Sequence, residues 1–250
     1  MEKLVRDLLA GRPATDGRSA VNPDNHAAVP DQVRYWNHWH RKSRADLDPE
    51  HTKFREGFLS LLSRGSDSMI LELGCGQGQD ARVFGAAGFQ VDACDVAENA
   101  IRSATQALPK SMEGHVRFHV WDIAGPLPVA DRQYSAVYSY LSLHYFDEVS
   151  TRRIFDEVYR VLRPAGLLGF VVRSVNDRLY GKGGQLGPDT YCLDGHVRHF
   201  FSRSYVRGLL TGWTVLSAVE FKGTYVGAQG VDTFLAVIAR HPHDHMTGHD

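Results

Sequence analysis

The chain of 250 residues predicts an α/β protein built on a doubly wound, seven-stranded sheet, mostly parallel with the last strand antiparallel and with helices on both faces. Three observations predict it. An apolar run, Ile70 to Leu73, passes without a spacer into the glycine-rich turn Gly74-Cys75-Gly76-Gln77-Gly78. Strand and helix patterns then alternate at the pace of a parallel sheet. Finally, two strand patterns near the C-terminus are joined by residues 222–232, which hold no helical pattern, so that pair is expected to run antiparallel.

The elements follow in order. Residues 1–30 begin with a short helical pattern (Leu4, Val5, Leu8, Leu9) and pass into a Gly-, Pro-, Asn- and Asp-rich stretch, expected to be a mobile arm. Residues 31–66 are expected to form a helical cap. Its first helix spans Val33 to Arg44 with Tyr35, Trp36 and Trp39; its second starts at Asp48-Pro49 and presents Phe54, Phe58, Leu61 and Leu62. Residues 67–240 then form one domain. Strands are expected at 70–73, 89–94, 116–121, 134–140, 167–172, 214–221 and 233–239, which makes seven. Helices are expected at 80–87, 98–107, 147–162 and 202–210, the third stopped by Arg163-Pro164-Ala165-Gly166. Residues 175–200 break the rhythm, being too long and too rich in Gly, Asp and aromatics for an ordinary connector; such a segment is expected to be a functional loop.

Composition narrows the function. The formal net charge of −1 supplies no diffuse positive field for a phosphate backbone, which disfavours nucleic acid as a partner. Three cysteines, Cys75, Cys94 and Cys192, form no disulfide framework or zinc knuckle and fit a reducing cytoplasm. The N-terminal residues, with Glu2 and Asp7 and no long apolar run, are expected to form neither a secretory signal nor a membrane span. Residues 241–250 carry His241, His243, His245 and His249; a histidine-rich tail of this kind is expected to be disordered, with no intrinsic metal site.

The glycine turn admits two cofactor readings. From Gly76 to Ala81 the string satisfies the G-x-G-x-x-G/A dinucleotide fingerprint. That match begins two residues late, because Gly74 already occupies the turn. Glu72 moreover places a carboxylate at the mouth, where it would repel a pyrophosphate and attract an ammonium. Asp95 follows Gly74 by 21 residues, long enough for a turn, a helix and a strand, and Asp122 ends the next strand.

In order across Met69 to Arg240, these features resemble class I S-adenosylmethionine-dependent methyltransferases, whose fold is Rossmann-like. The resemblance implies that the loop from Glu72 through Gly74, Cys75, Gly76 and Gly78 to Asp80 wraps the methionine part of the cofactor. It further implies that Asp95, beside Val96, accepts from the ribose hydroxyls, and that Asp122, beside Ile123, accepts from the adenine amino group. Ser139 at the end of the fourth strand and the Leu162 to Gly166 turn complete the likeness. A closer style, with a Tyr-Trp helix, Tyr180-Gly181-Lys182-Gly183 and Gly195 to Ser202, is similar to the small-molecule branch that includes the tellurite-resistance and thiopurine methyltransferases.

The expected reaction is in-line transfer of a methyl group to a small, aromatic or heteroaromatic metabolite, with the protein a monomer or homodimer. His144, Tyr145 and His199 are the candidates for catalysis, His144 as general base. Tyr35, Trp36, Trp39, Tyr180 and His196 are the candidates for holding the acceptor, beneath a lid made by the cap and residues 175–200. An RNA or protein methyltransferase, a binder that has lost methyl transfer, and a dehydrogenase stay open as alternatives.

Overall fold

A computed structural model describes residues 32–42, 49–63, 65, 68–224 and 230–243. The arm expected over 1–30, the Asp48 cap and most of the histidine-rich tail lie outside the described residues. Helices α1 (Gln32–Lys42) and α2 (Pro49–Ser60) come first. They are followed by β1 (Met69–Leu73), α3 (Gln79–Ala86), β2 (Gln90–Asp95), α4 (Glu98–Gln106), β3 (Val116–Val120) and β4 (Tyr134–Tyr140). Next come α5 (Glu148–Val161), β5 (Leu162–Arg173), β6 (Gly184–Gly187), β7 (Thr190–Leu193) and β8 (His196–His199). The described chain closes with α6 (Arg203–Leu209), β9 (Thr214–Gly223) and β10 (Asp232–Arg240).

Seven strands make the main sheet in the order β3-β2-β1-β4-β5-β10-β9. Strands β1 to β5 pair in parallel, whereas β10 is antiparallel to both β5 and β9. The last strand is therefore the antiparallel one, as the helix-free join predicted. Because side chains alternate across a strand, β1 feeds two cores. Leu71 and Leu73 join Val137, Leu168 and Phe170 beneath Ile154, Phe155 and Val158 of α5 and Val206 of α6. Ile70 joins Val91, Ala93 and Tyr138 beneath Phe58 of α2 and Phe84 of α3. Glycine at 169 lets α2 lie against β5, since a Cβ there would fall 2.5 Å from the Phe58 ring.

Two expectations are corrected. The segment Arg163-Pro164-Ala165-Gly166 stops α5 but is no turn between elements, because β5 already begins at Leu162. Pro164 is tolerated there because the register slips between Tyr134 and Ala136, where the ladder is irregular. Residues 175–200 hold a three-stranded antiparallel sheet, β6-β7-β8. Each strand has only four residues, too few to show alternation among flanking glycines. No helix among the described residues is long and apolar enough to cross a membrane.

Candidate active site

The sheet reverses its winding at β1, between β2 and β4, and the crevice outside the carboxyl ends of those strands is where ligands bind in such sheets. The glycine loop lies there. Gly74, Gly76 and Gly78 have φ of 70, 52 and 70°, left-handed values that a Cβ disfavours. Gly74 is also pressed by its surroundings, since a Cβ would lie 2.0 Å from Ser142 Oγ in the turn after β4.

Asp95, at the end of β2, fixes the loop. Its Oδ2 accepts the Gly76 N–H at 2.9 Å and its Oδ1 the Ala97 N–H at 2.9 Å. Val96 beside it is half-buried. Glu72 is 4 % exposed, and its Oε2 has no hydrogen-bond partner among the described residues. Burial first, then the neighbouring Asp80 carboxylate, holds the Glu72 carboxyl well above its usual range. Cys75 is buried, and burial followed by the Glu72 charge pushes its thiol up, which leaves it unreactive.

Several expected cofactor residues make contacts within the fold. Asp80 Oδ1 accepts from Arg55 Nη1 at 2.9 Å, and Asp80 Oδ2 lies 2.6 Å from His51 Nε2, so this carboxylate ties α2 to the first turn of α3. Ser139 is fully buried and donates its hydroxyl to the Leu73 carbonyl at 2.9 Å, joining β4 to β1. Ile123 belongs to the main core. Asp122 is exposed, and its Oδ1 accepts the Ala124 N–H at 2.9 Å, a local turn contact.

A second group of side chains gathers on β4's side of the crevice. Tyr35 and Trp36 of α1 reach across to the turn after β4 and to β8. The Tyr35 ring sits 3.6 Å from the His196 ring, and Trp36 sits 4.6 Å from Tyr145. Trp39 packs edge-on against Trp36 at 5.9 Å. His144 lies against Tyr145 at 4.2 Å, is fully buried, and has neither ring nitrogen hydrogen-bonded among the described residues. Burial, then the Arg173 and Arg198 cations, pull its pKa well below the ordinary histidine value. Burial likewise lowers His196 to about 4, and His199, packed against Phe201 and Tyr205, is lowered as well.

Tyr180 does not join this group. Its hydroxyl donates to Asp189 Oδ1 at 2.7 Å and its ring packs with Tyr191 and Phe200 on the small sheet. The chain between β5 and that sheet is held to the main sheet through Arg173 on β5. Its guanidinium donates to Asp177 at 3.0 Å and to Asp232 at 3.2 Å, a buried network that no local motif announces.

Sequence reasoning also missed the residues that dock α1. Asn99 N–H donates to Asn37 Oδ1 at 3.1 Å, Asn99 Nδ2 to the Asn37 carbonyl at 3.2 Å, and Gln77 Nε2 to the His40 carbonyl at 3.2 Å. The i to i+4 step from Trp36 to His40 was the available signal, since it puts both on one helix face. Among the described residues, no three His, Cys, Asp or Glu side chains are arranged to hold a metal ion.

A switch-point glycine loop, an acid after β2 and an antiparallel last strand are the fold of the class I S-adenosylmethionine-dependent methyltransferases, and residues 70–166 match the model of a methyltransferase domain. Residues 70–166 are thus similar to a methyltransferase domain, and the chain shares its fold with an S-adenosylmethionine-dependent methyltransferase of Methanosarcina mazei. The 1,6-didemethyltoxoflavin-N1-methyltransferase of Burkholderia thailandensis shares the fold with a TM-score of 0.67 at 18% identity, over 91% of this chain and 93% of that one. Malonyl-[acyl-carrier protein] O-methyltransferase of Pectobacterium atrosepticum is 31% identical over 117 residues, 46% of this chain and 42% of that protein. Arsenite methyltransferase of Halobacterium salinarum is 33% identical over 132 residues, 50% of this chain and 32% of that protein. The chain thus spans less than half the length of these two curated relatives.

The residues present suit the cofactor's chemistry. The glycine loop turns at the switch point through left-handed backbone angles, and the buried orphan oxygen of Glu72 is the kind of acceptor an amino-acid ammonium needs.

Proposed function

We propose that the chain transfers the methyl group of S-adenosylmethionine to a small, aromatic or heteroaromatic acceptor held between α1, the turn after β4 and β8. One observation carries the reading: the α1 rings meet Tyr145 and His196 beside His144, at the same end of the sheet as the glycine loop. A flat ring entering this cluster would exchange edge-to-face contacts for stacking at little loss.

Bound cofactor supplies a sulfonium-activated methyl group, so the protein's work is alignment and exclusion of water. Glu72 holds the ammonium, Gly74, Gly76 and Gly78 admit the chain of the cofactor, Asp95 with Val96 takes the ribose, and Asp122 takes the adenine edge. His144, neutral at physiological pH with two unpartnered nitrogens, accepts the acceptor's proton, while Tyr145 and His199 flank it. The cap helices and residues 175–200 act as a lid. The reading places the chain in the small-molecule branch that includes the tellurite-resistance and thiopurine enzymes. The likeness to malonyl-[acyl-carrier protein] O-methyltransferase favours a second reading, a carboxylate acceptor delivered on a carrier protein.

The test is calorimetric titration with S-adenosylhomocysteine, followed by incubation with S-adenosylmethionine and a metabolite extract. Wild type is expected to bind and to release S-adenosylhomocysteine only with the extract, and Asp95→Ala to lose binding. Unchanged affinity in Asp95→Ala refutes the cofactor assignment; turnover only with acylated carrier protein selects the second reading.

A further inference from the structure

Helix α1 touches both halves of the crevice, and its last described side chain, His40, reaches the cofactor loop. The His40 Cε1 lies 3.1 Å from where a Gly76 Cβ would stand, with both ring nitrogens at 3.9 Å, so the ring meets the loop edge-on. Its Nδ1 is buried with no hydrogen-bond partner among the described residues. The ring is braced from behind by Trp39 at 4.9 Å and by Trp36 at 6.2 Å. The helix itself is pinned by the Asn37–Asn99 pair and by Gln77, so the ring is held in place by the fold.

A buried imidazole nitrogen without a partner is costly unless a ligand satisfies it. Three carboxyl groups, Glu72, Asp80 and Asp95, are buried at the loop, and the buried Arg55 cation is already paired with Asp80. This setting suits an ammonium and a ribose diol better than a carboxylate. The amino-acid end of the cofactor is a zwitterion, so its carboxylate needs a donor from another element. The Arg82 guanidinium donates to the Gln77 carbonyl at 2.8 Å. Resting on the cofactor reading above, we infer that His40 is a cofactor-binding residue whose Nδ1–H donates to the carboxylate of the cofactor's amino-acid moiety, giving α1 a direct hold on the methyl donor. Burial lowers the His40 pKa and the Asp95 charge partly offsets this, so the donor at neutral pH is the uncharged ring.

The experiment compares two ligands on three proteins by calorimetry: S-adenosylhomocysteine and its decarboxylated analogue, on wild type, His40→Ala and His40→Asn. A hydrogen bond to a charged group contributes about 1.5–3 kcal/mol, so His40→Ala should bind S-adenosylhomocysteine ~10- to 100-fold more weakly. The same variant should lose less than about 2-fold on the decarboxylated ligand, and His40→Asn, which keeps a donor, should recover part of the loss. An equal loss on both ligands would show that His40 only packs, and no loss would show that it does not touch the cofactor; either overturns the inference. Failure of wild type to bind S-adenosylhomocysteine at all would instead overturn the cofactor reading.

Discussion

Replacing Gly74 with alanine tests whether the glycine loop is shaped by its own backbone or by the turn it abuts. The residue has φ of 70°, where an L side chain costs roughly 1–2 kcal/mol. The added Cβ would also stand 2.0 Å from Ser142 Oγ and 2.4 Å from Ser142 Cβ, against 3.4–4 Å for ordinary contact. Rotating the hydroxyl cannot relieve this, because Ser142 Cβ itself is too close. Overpacking of this kind costs about 1–3 kcal/mol. The single variant should therefore lose about 2–5 kcal/mol, a large share of a domain's stability. In Gly74→Ala/Ser142→Gly the nearest remaining Ser142 atom is Cα, at 3.8 Å, so only the backbone cost persists. Urea denaturation of wild type, both singles and the double variant should give a coupling of about 1–3 kcal/mol favouring the double. A coupling below about 0.5 kcal/mol would mean that the loop and the turn after β4 are not in contact, and the switch-point geometry proposed for the site would fall with it.

Three further outcomes are expected. Asp80→Ala strands Arg55, 6 % exposed, without its carboxylate and should cost about 3–5 kcal/mol in urea, with Asp80→Asn milder because it keeps an acceptor. His40, His144, His196 and His199 all have depressed folded pKa values, so their contribution to stability is present above pH about 6.5 and is lost as pH falls toward about 4, where His196 titrates. Melting temperature should drop across that window, and a flat profile would contradict their burial. Glu72 has the opposite sign: its folded pKa is raised, so its contribution is full below pH about 4.5 and is lost as pH rises through the folded value. Glu72→Gln should thus melt higher than wild type at neutral pH yet bind S-adenosylhomocysteine more weakly; lower melting would show that the carboxylate is ionised and paired in the fold.

How much of this was legible depended on whether the signal was local. The loop from Gly74 to Gly78 is legible because left-handed backbone angles favour glycine, and Asp95 because a turn, a helix and a strand fix its distance from the loop. The antiparallel end followed from a connector too poor in helical pattern to cross the sheet. Asp80 and Ser139 occupy the stations of ligand contacts, and their oxygens also bond Arg55, His51 and Leu73, partners 25, 29 and 66 residues away in the chain. No periodicity could foretell those pairings.

The proposed acceptor half of the site is the harder half to read. The donor half is built from one βαβ unit, and its parts keep their spacing. The proposed acceptor half would be assembled from α1, the turn after β4 and β8, spread from Tyr35 to His199, and these elements meet through ring contacts such as Tyr35 on His196. Helix α1 belongs to both halves: Asn37 holds it on α4, His40 presses it on Gly76, and Trp36 carries it to Tyr145. A displacement of α1 that opened the loop would therefore also open the aromatic cluster, so under the proposed reading cofactor binding and acceptor binding would be coupled through one helix.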